Sequence, residues 1–158
     1  MAAGHDIAIA LRAAYLALHR RSDAAFSAHG VTADQFVLLA TLERGHALTQ
    51  RELGRRMSSD PSTVRAMLVL LEKRGLVERN SHPTDARART VALTAEGRRT
   101  FRELWTVGEP IRQRMIGVLS SDEAGTLVGL LARAAESLNA DRVPVGGSAS
   151  SHSPEDER

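Results

Sequence analysis

The 158 residues, 42% hydrophobic and 25% charged, suit one globular domain or two tightly joined lobes with a sizeable core. The net charge is a small +2, no apolar run approaches membrane-spanning length, and the opening MAAGHD lacks a secretory pattern, so a cytoplasmic location is expected. Zero cysteines exclude disulfides, thiolate metal sites and a thiol redox switch, and the six histidines show no paired ligand spacing, so no metal or cofactor is expected.

In chain order, Ile7, Leu11, Ala14 and Leu18 fall on one helical face and Gly30 follows His29 as a stop, which predicts one long helix within residues 1–30. Thr32 and Gln35 form a capping box that opens a helix directing Phe36, Leu39 and Leu42 to the core, with Gly45 ending it. Ala47 and Leu48 add a brief strand. Thr49 caps the next helix, with Glu52 three residues on completing a second capping box, and Leu53 and Met57 supply its apolar stripe.

Ser58 and Ser59 make a turn, Asp60 caps a further helix and Pro61 occupies its first position, where a missing N–H costs nothing. Val64, Leu68 and Leu71 recur at helical spacing and Gly75 supplies a left-handed stop, so this helix runs from about Pro61 to Arg74. Leu76 to Asn80 and Arg89 to Leu93 have strand composition and flank SHPTDARA, rich in turn formers, which predicts a hairpin with a long tip. His82 is expected to be a solvent-exposed loop residue.

Thr94 then caps a long helix in which Phe101, Leu104, Trp105, Ile111, Met115 and Val118 give broad apolar cover, kinked at Pro110. Ser120 with Glu123 makes another capping box, and Leu127, Leu130, Leu131, Ala134 and Leu138 line the last helix. The ending VPVGGSASSHSPEDER has no apolar face, and disorder is expected from about Asp141.

A helix, a tight turn, a second helix and a hairpin together describe a winged helix-turn-helix. On the second helix Ser62, Thr63, Arg65 and Ala66 are small or hydrogen-bonding groups near an exposed N-terminus, itself a potential anion site, and Arg65 has the fork that fits guanine O6 and N7. Taken alone, that helix fits equally well with good first-turn residues and a solvated arginine. The wing favours DNA, because its tip would carry Arg87 and Arg89 toward a minor groove, with Asp85 orienting Arg87. Charge agrees: Arg44 to Arg102 holds 13 basic against 6 acidic residues, net +7, while the remainder is −5. Only Lys73 among the 21 basic residues is lysine, which a G+C-rich genome explains better than selection for bidentate contacts.

The run from Leu48 to Gly97 resembles the MarR family of bacterial transcription regulators. The features that carry the likeness are the capped helix Thr49 to Met57, the entry Asp60-Pro61-Ser62-Thr63-Val64, Leu71 with Gly75-Leu76-Val77, the wing pair Asp85 and Arg87, and Leu93-Thr94 followed by Gly97. It extends more loosely from Ala8 to Leu138, including the helix opening at Thr32. Val69 and Leu70 depart from the family, whose members more often carry polar residues there, and the lack of cysteine sets the chain apart from its peroxide-sensing branch.

The resemblance implies a mainly α fold with a small β-wing (α+β), a winged helix-turn-helix whose N- and C-terminal helices form a dimerisation lobe. Its parts would be residues 1–30 (dimerisation helix), 31–97 (DNA-binding domain), 98–140 (further dimerisation helices) and a tail, 141–158. The implied function is a sequence-specific regulator, by family default a repressor, that binds a palindromic operator as a homodimer with recognition helices about one DNA turn apart. Beyond Ser62, Thr63, Arg65 and Ala66, the candidate DNA contacts are Thr49, Ser59, Arg79, Asp85, Arg87 and Arg89. A small aromatic or anionic effector is also implied, with Tyr15, His19, Phe36, Arg102, Trp105 and Arg112 as candidate contacts, although such aromatics are more often core. No catalytic motif stands against this reading. The alternatives are a winged-helix protein that coats DNA without specificity and an adaptor that binds other proteins.

Overall fold

The computed structural model describes residues 2–140, so the expected disorder from Asp141 onward falls outside the described residues. Residues up to Met115 form one compact unit and those from Ile116 a second.

In the first unit α1 (Ala2–Phe26) runs into a single 3-10 turn (Ser27–His29), and Gly30 follows with φ 66°, the left-handed conformation glycine adopts without strain. Thr32 and Gln35 cap α2 (Ala33–Gly45) reciprocally, as expected. A second cap comes from outside the motif: Asp23 on α1 accepts the Ala33 N–H at 2.6 Å, tying the two helices together. Leu38, Leu39 and Leu42 of α2 are fully buried, whereas Phe36 is half-buried and packs its ring on Phe26 and Phe101, with centroids 4.6 and 5.8 Å away. α2 ends at Gly45 as expected, where a Cβ would lie 2.7 Å from Leu48 Cδ1, and His46 follows with φ 63° and ψ −82°.

A three-stranded antiparallel sheet follows the order β1 (Ala47–Thr49), β3 (Arg89–Leu93), β2 (Val77–Ser81). Leu48 pairs with Val91 and Val77 with Leu93, so the inward apolar positions meet one face. β2 starts one residue later than expected. Leu76 is used instead as a corner: its N–H donates to Leu71 O at the end of α4 (Pro61–Lys73), and its carbonyl accepts the Thr94 N–H.

Between the strands, α3 (Gln50–Met57) and α4 bury Leu53, Val64, Met67, Leu68 and Leu71 in one core with α2 and the sheet. The long helix expected after Thr94 is two helices, α5 (Ala95–Val107) and α6 (Glu109–Ile116). The break falls at Gly108, so Pro110 sits in the first turn of α6, where it removes no helical hydrogen bond, rather than kinking a continuous helix. The apolar cover is also narrower: Leu104 is buried, Phe101 and Ile111 are half-buried, and Trp105, Met115 and Val118 are exposed.

In the second unit α7 (Ser121–Asn139) begins at the reciprocal Ser120–Glu123 cap and buries none of its residues, leaving Leu127, Leu130, Leu131 and Leu138 exposed. Among the described residues no single helix is long and apolar enough to cross a membrane.

Candidate nucleic-acid interface

The turn between α3 and α4 closes on Gly54, which is buried; a Cβ there would touch Ser59 O at 3.4 Å. Ser58 takes φ 53°, and the Ser59 N–H donates to Gly54 O at 3.0 Å, turning the chain sharply into α4. Thr49 accepts the Glu52 N–H, but the expected reciprocal half is missing, because the Glu52 carboxylate turns to Arg55 and Arg56, each 2.7 Å away. Those guanidinium hydrogen bonds, Arg55 first and Arg56 second, lower the Glu52 pKa from 4.5 to about 2.

At the start of α4 the Asp60 carboxylate accepts three hydrogen bonds: the Thr63 N–H at 2.9 Å, the Ser62 hydroxyl at 2.5 Å and the Thr63 hydroxyl at 2.7 Å. The Ser62 and Thr63 hydroxyl bonds, followed by the Thr63 N–H, hold the carboxyl well below the usual carboxylate range. This corrects the sequence expectation of an open anion site at the helix N-terminus. A negative group from the chain already occupies it. Ser62 and Thr63 are exposed but spend their protons on Asp60, leaving their oxygens as acceptors.

Arg65 and Ala66 are exposed on α4, as are Val69 and Leu70. Ser59 is half-buried and, with Gln50, Arg51, Gly54, Arg55 and Pro61, lines a hollow of about 260 Å³ beside the helix start. Arg65, Arg87 and Arg89 make no salt bridge with the described residues, so their guanidinium charge is uncompensated at close range.

The wing tip is ordered by its own side chains. His82 is half-buried rather than a free loop residue: Nδ1 accepts the N–H groups of Thr84 and Asp85, both at 3.2 Å. Asp85 accepts the backbone N–H of Arg87 at 3.0 Å, so it orients the chain at Arg87 and not the guanidinium. Arg79 pairs with Glu72 of α4 at 3.2 Å and is half-buried, which makes it a brace between wing and helix. That brace had no local sequence signal, since Arg79 and Glu72 meet only once β2 folds back along α4.

A separate cavity of about 240 Å³ lies among α1, α2, α5 and α6 and is lined by Tyr15, His19, Phe36, Trp105 and Arg112. Arg102 is not among its walls; it borders a different hollow with Arg44 and Phe101. His19 stands 3.2 Å from Asp23 and 4.0 Å from Asp34, with the Tyr15 ring stacked on it at 5.5 Å. Arg112 lies 3.8 Å over the Trp105 ring and donates to Glu109, which already balances part of its charge. Sequence reasoning missed Asp34, another wall of this cavity, whose place in the first turn of α2 reads simply as a helix-start acid.

A family model described as MarR family matches residues 29–88. The chain is also 31% identical over 134 residues to the HTH-type transcriptional repressor MdtR of Bacillus subtilis, covering 83% of this chain and 86% of that protein. The chain belongs to the MarR family. Among solved structures, a mutant of MarR from Escherichia coli complexed with operator DNA matches with a TM-score of 0.72 at 28% identity, over 82% of this chain and 93% of that one. BpsR of Bordetella bronchiseptica, described for regulation of its DNA binding by 6-hydroxynicotinic acid, matches with a TM-score of 0.67 at 30% identity, over 82% and 98%. This MarR-family protein is a DNA-binding transcriptional regulator, and its mostly helical fold with a three-stranded sheet is that of the family's winged-helix structures.

Proposed function

We propose that this regulator is a sequence-specific repressor that binds a palindromic operator as a homodimer in the cytoplasm, acting by binding and not by catalysis. The observation that carries this reading is the pair of uncompensated cationic prongs, Arg65 on the exposed face of α4 and Arg87 at an ordered wing tip. α4 enters the major groove with Arg65 at a base edge, while Arg87 and Arg89 reach the neighbouring minor groove. Thr49, Ser59, Ser62, Thr63 and Ala66 line the approach, and Arg79 and Asp85 act by holding the wing.

Residues 31–97 form the DNA-binding domain in this reading, and residues 1–30 and 98–140 supply the dimer contacts. Support comes from each terminal region by itself: Ile7 and Tyr15 of α1 are more than half exposed, and Leu130 and Leu138 of α7 are too. Apolar faces of this kind call for a partner surface, and a palindrome calls for a twofold one. A small aromatic effector occupies the cavity beside Phe36 and Trp105, as the effector-regulated neighbour BpsR suggests. An anionic effector would have to draw Arg112 away from Glu109.

Fluorescence anisotropy with a palindromic duplex selected by the purified protein tests this proposal. Two protomers per duplex, affinity falling steeply with salt, and much weaker binding to a scrambled duplex are the expected results. Equal affinity for the scrambled duplex would favour DNA coating, and no binding to any duplex would favour an adaptor.

A further inference from the structure

The outer face of α4 carries apolar side chains where a solvated helix has no use for them. Val64, Met67, Leu68 and Leu71 mark its buried face. The helical period then places Ser62, Ala66, Val69 and Lys73 in one line on the opposite side, at i, i+4, i+7 and i+11. All four are exposed, Val69 by 51%. The line therefore runs from a hydroxyl to an ammonium through two side chains with no hydrogen-bonding group, and Arg65 lies on its flank. Lys73, Arg65 and the wing arginines make the surroundings basic, while the nearby acids are engaged, Glu72 by Arg79 and Asp60 by Ser62 and Thr63 at the helix start. A polyanion suits this frame better than the apolar face of another protein.

Within a DNA major groove, the apolar group exposed on base-pair edges is the C5-methyl of thymine. We propose that Ala66 and Val69 read thymine methyl groups, so that the operator carries T·A pairs beneath the middle of each recognition helix. This rests on the groove-entering role of α4 proposed above. It adds a second kind of readout to that of Arg65, since methyl contacts select by shape and burial whereas the guanidinium selects by paired donors.

The test uses duplexes selected by the full-length protein from a randomised pool. The best binder is resynthesised with deoxyuridine replacing each thymine in turn, which removes the methyl and keeps the pairing edge. Affinities are measured for the wild type, Val69→Ala and Ala66→Ser; both positions are exposed, and circular dichroism checks that the variants fold. The expected result is that deoxyuridine at one or two positions per half-site weakens wild-type binding about fourfold per methyl. The same replacement has no further effect on the variant that has lost the matching contact. Tolerance of deoxyuridine at every thymine, or an equal loss in wild type and both variants, overturns the methyl readout while DNA binding stands. Failure to select any duplex removes the groove-entering role of α4 itself, and the methyl readout with it.

Discussion

Gly97→Ala puts a general helix rule and this particular structure in direct opposition. Alanine in a helix is better than glycine by up to about 1 kcal/mol, so the local rule predicts stabilisation. In this fold a Cβ on Gly97 would lie 1.9 Å from the Leu76 carbonyl oxygen and 2.9 Å from its carbon, both backbone atoms. Ordinary contact starts near 3.4 Å, so α5 would have to retreat by well over an ångström. The retreat strains three hydrogen bonds at one corner: Thr94 N–H to Leu76 O at 3.1 Å, Thr94 hydroxyl to Gly75 O at 2.6 Å, and Gly97 N–H to the Thr94 hydroxyl at 2.9 Å. Overpacking costs about 1–3 kcal/mol and each weakened bond a further fraction of about 1 kcal/mol, so the net change is a loss of about 2 kcal/mol. Gly125→Ala and Gly129→Ala on α7, where an added Cβ meets nothing within 4 Å, are the controls and should be neutral or stabilising. Urea unfolding followed by circular dichroism, at one fixed protein concentration, reads all three. If Gly97→Ala matches the wild type in midpoint and slope, the argument from the Leu76 corner is wrong.

Arg65→Ala should cost about 1–3 kcal/mol of operator affinity and relax preference at one base position, whereas uniform weakening on all sequences would make Arg65 a phosphate contact. Arg87→Ala should weaken binding most on operators with A-tract flanks, and unchanged affinity on such duplexes would take the wing out of the interface. Glu52 makes acid stability a test of its arginine pairing. Its folded pKa, about 2, lies below the ordinary 4.5, so the unfolded chain binds the proton more readily and stability falls as pH drops from 4.5 toward 2, with little change above about pH 5. Thermal melts across that range should show a shallower acid limb for Glu52→Gln, and an identical limb would mean the pairing contributes nothing to folding.

What the sequence made legible was local chemistry. Thr32, Asp60, Thr94 and Ser120 each cap the helix they precede, because a cap is settled by residues two or three apart. What it hid were contacts between segments distant in the chain: Asp23 on the Ala33 N–H, Arg74 donating to the carbonyls of His29 and Gly30, and Arg79 on Glu72. Gly45 ends α2 as its type suggests, but nothing local shows that Leu48 packs where its Cβ would be. In the sequence Pro110 reads as a kink, because Gly108 carries no local sign that the helix restarts after it. At the site, Arg65 and Arg87 are exposed where a contact residue has to be, but the proton economy of Ser62 and Thr63 became visible only with Asp60 between them.

That arrangement divides the interface by physical role. Because the Asp60 carboxylate occupies the start of α4, a DNA phosphate gains little from the helix dipole there and would meet a like charge. In the proposed complex, phosphate anchoring would then fall to Arg51, exposed at the hollow beside the turn, and to Arg55 once it leaves Glu52. Such contacts release counterions and set a salt-dependent affinity without distinguishing one sequence from another. Discrimination in that complex would rest on the stretch of α4 beyond its first turn, from Arg65 to Val69, where no acidic group intervenes, and on the minor-groove shape met by the wing arginines. Moving the operator to higher salt should therefore cost affinity on every duplex while leaving the base preferences set by Arg65, Ala66 and Val69 in place. An Asp60→Asn variant should gain affinity for matched and scrambled duplexes alike, because removing the repelling charge acts on phosphate, which both duplexes share.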